Sequence, residues 1–307
     1  MIEITSKLIR KIELQLDCRI SSYKTLGQGE HNVNFLLNTT KGNLVLRIYA
    51  NTQFDNSKKE YFVLRKLKGQ YAPRVYFFDN SKTDFKYDYM IQEFIEGVTL
   101  NKFSSNDLKQ VAKILKEIHQ IKDLRKKRDW KEPIGSWSRQ NILQNSKYLG
   151  DEFHNNMKKI YTKVLNELEK VKPSIEKYER VHLIHDDVIP ENIIKTKKGD
   201  LILVDWELAT FDYFFFEFGC VIAENHLTKN QEDIFLEEYG FGIKQNEKKI
   251  IHAIKINRIL SLISWLIQRI VSIKQGKQIF VGENVVKYKN RLEKEIIHIE
   301  QLLSKKI

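Results

Sequence analysis

The sequence is poor in the residues that advertise special architectures: 307 positions hold two cysteines and four prolines. Cys18 and Cys220 stand far apart, with no metal-ligand spacing and no disulfide framework, so the chain reads as a protein of a reducing, cytoplasmic compartment. So few prolines, with no low-complexity tract and no internal repeat, leave no obvious linker and exclude a solenoid. Long hydrophobic runs are missing too. The longest uncharged one, "ILSLISWLIQ" at 259–268, is too short to cross a bilayer. The first twenty residues carry a charge every two or three positions, which breaks the apolar core a signal peptide needs. A membrane partner is therefore not expected.

What is present is a globular composition, 42% hydrophobic and 11% aromatic, enough to bury a substantial core in one bilobal unit or two domains. The formal charge of +12 could attract nucleic acid. Its lysines, however, are scattered, and blocks such as "KKRDWK" are short and interrupted, as on solvated helix faces. The charge is compatible with a nucleotide ligand, and no nucleic-acid partner is expected.

Residues 22–95 carry strand signals. "NFLLNTT" and "LVLRIYA" flank a turn around Gly42, and "RVYFFD" and "YDYMIQEFI" give two further strands. Between them, Glu60, Phe62, Val63, Leu64 and Leu67 are expected to share the face of a helix that starts at Asn56-Ser57 and ends before Pro73. After Gly97 the pattern turns helical over most of 105–130, 145–178 and 246–305. The fold class expected is α+β, a small antiparallel-sheet lobe over 1–95 preceding a larger, mainly helical lobe over 96–307.

The chemistry concentrates in "VHLIHDDVIPENIIKTKKGDLILVDWELA", residues 181–209. Asp187 and Asn192 lie five residues apart on a loop interrupted by Pro190, and the apolar run "DLILVDWE" delivers Asp205 from the next strand. A carboxylate and an amide oxygen converging from two loops make a hard oxygen site suited to Mg²⁺. That leaves Asp187 to orient a hydroxyl nucleophile and accept its proton. The bland alternative is a pair of turn-capping aspartates beside a buried histidine.

"HDDVIPEN" followed by "ILVDWE" resembles the catalytic and metal-binding segments of the aminoglycoside phosphotransferase and choline/ethanolamine kinase superfamily, whose fold is similar to that of protein kinases. The resemblance covers roughly residues 22–270. It implies Asp187 as catalytic base, His185 as a structural member of the catalytic loop, Asn192 and Asp205 as Mg²⁺ ligands, and ATP as donor. Asp186 departs from it, since many relatives have a small residue there. "LGQGEHNVNF" resembles the phosphate-binding hairpin, which brings in Gly27, Gly29 and Asn32. "LVLRIY" puts Arg47 where protein kinases carry a strand lysine, able to pair with phosphates and with Glu60. "YMIQEFIEG" looks like the hinge, with backbone groups of Gln92, Glu93 and Phe94 facing the adenine edge. His119, on an amphipathic helix, reads as a packed structural histidine.

The acceptor is sought after Asp205. Glu207, Asp212, Glu217 and Glu224 interleave with Phe211 and Tyr213 to Phe216, acid beside aromatic faces in an otherwise basic chain, which favours a cationic substrate. "FEFGCVIAE" resembles the choline kinase segment whose glutamate helps hold an ammonium, here Glu224, although Glu217 replaces that family's aspartate. "SLISWLI" looks like the late helix offering tryptophan to choline, here Trp265, against the plain reading of a core aromatic. The expectation is an ATP-dependent kinase of a small cationic amino alcohol such as choline or ethanolamine. The alternatives are an aminoglycoside phosphotransferase or another small-metabolite kinase and, motivated by Arg47 and Asp186, an inactive nucleotide-binding protein. ATP and GTP are not distinguished.

Overall fold

The computed structural model describes residues 2–28, 32–51, 56–123, 134–277 and 284–305. It divides into two compact units, one of Met1–Phe103 with Pro190–Ala209, the other of Ser104–Ile189 with Thr210–Ile307. The sequence break read near 95–97 thus moves a few residues on, and the stretch from Pro190 to Ala209 joins the first unit.

The first unit opens with α1 (Ser6–Leu16), started by the Thr5 hydroxyl accepting from the Leu8 amide. Then come β1 (Ile20–Gln28), β2 (Asn32–Thr39), β3 (Gly42–Tyr49), α2 (Ser57–Leu67), β4 (Val75–Asp79), β5 (Tyr89–Glu93) and β6 (Gly97–Thr99). The first five strands form one antiparallel sheet in the order β1-β2-β3-β5-β4. Gly42 supplies the left-handed turn between β2 and β3 at φ +102°. Leu8 and Ile12 of α1 bury completely with Leu37, Leu46, Ile48 and Ile91, closing one face of the sheet.

The second unit holds α3 (Ser105–Ile118), β7 (Lys122–Asp123), α4 (Ser136–Leu143), α5 (Asp151–Ile175) and β8 (Val181–Ile184). β9 (Ile193–Thr196) and β10 (Leu201–Leu203) return to the first unit, where they pair with β6 in the order β10-β9-β6. At Gly97 in β6 any side chain would collide with the Lys195 carbonyl, so glycine lets the two backbones close. The second unit resumes with β11 (Thr210–Asp212), α6 (Phe216–Phe218), a π-helical turn over Gly219–Glu224, α7 (Lys229–Tyr239), α8 (Gln245–Lys274) and α9 (Val285–Ser304). β11, β8 and β7 form its small sheet.

The expected long helices are shorter and more broken. α3 stops at Ile118 with His119 as its cap, because the chain turns into β7 to pair with β8, and 124–130 lies outside the described residues. A 3₁₀ turn, Asn145–Leu149, is separated from α5 by Gly150 at φ +114°. The region 246–305 is two helices. By length and composition α8 could cross a membrane, yet 78% of its most apolar window is buried in the protein, as in a core helix.

Candidate active site

In the first unit the site is organised by Arg47. Its neighbours along β3, Leu46 and Ile48, pack on the face closed by α1, and strand alternation puts Arg47 on the opposite face toward α2, where it is 5% exposed. A charge so placed has to be paired. Its Nε donates to Glu60 Oε2 of α2 at 3.0 Å, and the Tyr49 hydroxyl donates to the same oxygen at 2.8 Å. Nη2 donates to Asp205 Oδ1 at 2.5 Å and lies 3.5 Å from Glu207 Oε2. The Asn32 amide nitrogen also donates to Glu207. Five residues picked from the sequence, Asn32, Arg47, Glu60, Asp205 and Glu207, therefore form one network. Glu207, expected on the acceptor side, is built into it. Burial and the charge of Asp205 push the Glu207 carboxyl up, and burial pushes Glu60 up against the pull of Arg47.

Asn192 ends a 3₁₀ turn begun by Pro190, and its carbonyl accepts from the Val204 amide at 2.9 Å, which ties it beside the residue preceding Asp205. Asp205 adopts the left-handed backbone, φ 64° and ψ 62°, rare for a non-glycine residue and concentrated at functional positions. An amide oxygen and a half-exposed carboxylate on adjoining segments are a hard-oxygen donor set that fits Mg²⁺. Two buried atoms of the same unit fit a polar ligand such as a nucleotide: among the described residues, Asn32 Oδ1 and Gln92 Nε2 have no hydrogen-bond partner. Gly27 sits beside a register shift in β1, with open space where a side chain would be. Gly29 lies outside the described residues. Glu93 ends β5, where its backbone amide donates to the Arg74 carbonyl at 2.8 Å, and half-buried Phe94 follows.

In the second unit the site follows β8. His185 is fully buried, and its backbone amide donates to Glu217 Oε2 at 2.6 Å while that of Asp186 donates to Glu217 Oε1 at 2.9 Å. Glu217 is itself completely buried, with His119 Nε2 3.7 Å away, and His119 accepts or donates at Nδ1 with the Tyr239 hydroxyl. Although burial opposes it, His119 and the loop hold the Glu217 carboxyl below its ordinary value. Two backbone bonds to one ionised side chain fix the start of the loop that carries Asp187. The sequence registered Glu217 as an unusual substitution, but its role as loop anchor was not visible there.

Arg258 of α8 was missed. Its Nε donates to Glu224 Oε2 at 2.7 Å, Nη1 to Asp186 Oδ1 at 3.2 Å and Nη2 to the Asp186 carbonyl at 3.1 Å, with Asp187 Oδ1 3.8 Å away. Gly219 of the π-helical turn, where a side chain would press on the Arg258 Cβ at 3.0 Å, lets α8 approach this closely. Glu224 is thus engaged by Arg258, with Arg291 3.8 Å from its other oxygen. Trp265 meets the Tyr288 ring at 5.7 Å and carries Arg269 over its own face at 5.3 Å. Glu224 and Trp265 are both half-buried, and each is engaged by an arginine of the same chain.

A cavity of about 120 Å³ adjoins this loop, lined by Asp186, Asp212, Phe216, Asn257, Arg258 and Ser261 among others. Asn257 is 8% exposed, and among the described residues its Oδ1 has no hydrogen-bond partner. Removal from water raises the Asp186 carboxyl to about 6, against the pull of Arg258 and with Glu217, Asp212 and Glu224 adding to the rise. An acidic chamber with an unspent amide oxygen suits a small cationic or hydroxyl-bearing guest.

A model of the phosphotransferase enzyme family matches residues 22–249, well over half the chain. The chain belongs to that family. LicA of Haemophilus influenzae is 29% identical over 97 residues, 30% of this chain and 36% of that protein, so the match spans little more than a third of the relative's length. A crystal structure of choline kinase LicA from Streptococcus pneumoniae has a TM-score of 0.64 at 21% identity, covering 95% of this chain and 97% of that one. An aminoglycoside phosphotransferase, APH(4)-Ia, in ternary complex with ADP and hygromycin B, has a TM-score of 0.66 at 15% identity, covering 97% and 98%. The α+β fold is therefore shared with these two kinases, and what the family model shows of the chain itself is membership of the phosphotransferase enzyme family.

Proposed function

We propose that this phosphotransferase moves the γ-phosphate of ATP to the hydroxyl of a small cationic amino alcohol such as choline or ethanolamine, in the cytoplasm. The observation that carries the choice is the cavity beside the catalytic loop: at about 120 Å³, with Asp186 and Asp212 in its wall, it is well below the ~300–1,000 Å³ typical of drug-sized sites. A single ammonium head group matches that volume and charge. Phe216 adds an aromatic face, and a desolvated cation over such a ring gains up to ~2 kcal/mol. The LicA choline kinase of similar fold supports the same reading.

In this reading Asp187 orients the acceptor hydroxyl and takes its proton as the oxygen attacks. Arg258 stands 3.8 Å from the Asp187 carboxylate. Glu217 holds the loop, with His185 packed behind it. Gly27, Gly29 and Asn32 cradle phosphates, and the backbone at Gln92, Glu93 and Phe94 receives the base. Arg47, anchored by Glu60, presents its remaining guanidinium donor capacity to phosphate oxygens. Asn192 and Asp205 hold Mg²⁺, which when bound supplies positive charge to the phosphate oxygens. Glu224 acts on the acceptor side by positioning Arg258.

A coupled ADP-release screen over choline, ethanolamine, several aminoglycosides and small hydroxylated metabolites tests the assignment. Choline- or ethanolamine-dependent release supports it. Release with an aminoglycoside alone replaces it by the antibiotic-kinase reading.

A further inference from the structure

We propose that His226, Glu295 and His298 form a binding site for one divalent transition-metal ion of the Zn²⁺ type. His226 follows the π-helical turn Gly219–Glu224 and sits in the left-handed region at φ 49°. Glu295 and His298 are three apart on α9 and so share one of its faces. The ligating atoms of all three lie within 4.8 Å of one another. His226 Nε2 is 3.1 Å from Glu295 Oε1, and His298 Nδ1 is 3.6 Å from Glu295 Oε2. Two bonds of ~2.0–2.1 Å meeting at a tetrahedral angle put their donors ~3.3 Å apart, a separation these two distances bracket.

The second observation is a deficit of partners. The Glu295 side chain is 2% exposed, and among the described residues neither its Oε2 nor buried His298 Nδ1, 3.6 Å away, has a hydrogen-bond partner. A buried carboxylate is costly unless cations or donors surround it, and here the nearest groups are two imidazoles. A metal ion among the three would satisfy both orphaned atoms at once. Two imidazoles and one carboxylate are the donor set of open zinc sites, leaving a fourth position for water. Nitrogen ligands disfavour Mg²⁺, so the site does not duplicate the oxygen pair of Asn192 and Asp205.

A second grouping of potential ligands among the described residues, Asp187, Cys220 and Glu224, carries no such inference, because Arg258 already supplies its positive charge at 2.7 Å from Glu224 and 3.5 Å from Cys220 Sγ. Metal at the histidine site would clamp α9 to the segment whose Asn225 amide donates to the Val188 carbonyl, one residue past Asp187. The inference does not depend on which acceptor the enzyme phosphorylates.

The test is titration of chelator-treated full-length protein with Co²⁺, followed by visible d–d absorption, and with Zn²⁺ by calorimetry. One equivalent of Co²⁺ should develop bands that Zn²⁺ abolishes and excess Mg²⁺ does not. His226→Ala and His298→Ala should each weaken Zn²⁺ binding by roughly tenfold or more. His226 is the exposed member, so His226→Ala should keep the wild-type circular dichroism, which separates loss of a ligand from loss of the fold. No Co²⁺ bands in the wild type, or undiminished Zn²⁺ affinity in a folded His226→Ala, overturns the proposal.

Discussion

Arg47 Nη2 lies 2.5 Å from Asp205 Oδ1, so the arginine at the strand position also grips the carboxylate assigned to the metal. With Nε on Glu60, one guanidinium spans a helix, a strand and the segment after β10. Truncating it leaves Glu60 buried and uncompensated. Breaking a buried pair by removing one partner costs ~3–5 kcal/mol. Arg47→Ala should lower unfolding free energy by about that amount in urea denaturation, whereas Arg47→Lys should retain part of it and lose the fork that serves two carboxylates.

Asp205→Asn keeps the shape but removes the charge that pairs with Arg47 and that, in the proposed function, would hold Mg²⁺. Nucleotide affinity in this variant should lose its Mg²⁺ dependence, measured by calorimetry with ATP at varied Mg²⁺. An unchanged Mg²⁺ dependence removes Asp205 from the ligand set.

If the cavity beside Asp186 is the acceptor site proposed above, its substrate binding should respond to pH. Its carboxyl is raised to about 6 by removal from water, with Arg258 opposing and Glu217, Asp212 and Glu224 reinforcing the rise. Above that pH it is ionised and attracts a cation; below it the group is neutral. The KM for choline should therefore rise as pH falls through about 6, and Asp186→Asn should remove that inflection while the KM for ATP follows its wild-type profile.

Asp79 couples the first unit to acid. Despite partial burial, which pulls the other way, hydrogen bonds from Lys11, at 2.7 Å, and from Ser81 hold its carboxyl at about 2. A group with a depressed folded value stabilises at pH above its unfolded value and loses that contribution as pH falls through the folded one. Stability should decline between about pH 4 and 2, and Asp79→Asn should flatten that part of the curve in acid-dependent urea melts.

Much of this was legible in the chain because it is local. The β2-β3 hairpin, α2 and the spacing of Asp187, Asn192 and Asp205 depend on neighbours in sequence, and the pairing of Arg47 with Glu60 follows from a strand and the next helix. Arg258 was not legible. It sits among isoleucines and leucines on a helix that reads as core, and the acids it serves lie 72 and 34 residues away. Asn257 and Ser261 were hidden in the same helix. Glu207 and Glu224 were recognised as acids near the catalytic segment, but composition cannot tell an acid facing a ligand from one consumed by an arginine of the same chain. Within 105–130 the end of the helix at Ile118, where the chain turns into β7 to pair with β8, was not marked by the amphipathic period.

The central claim is that Asp187 takes the proton of a small cationic alcohol during phosphate transfer. It is tested most directly by ³¹P NMR of phosphocholine formed from Mg²⁺, ATP and choline by the wild-type chain and by Asp187→Ala, with ATP binding of both measured in parallel. The account expects phosphocholine from the wild type, a ~10²–10⁴-fold slower rate in the variant and ATP affinity retained. Phosphocholine formed by Asp187→Ala at the wild-type rate would contradict it.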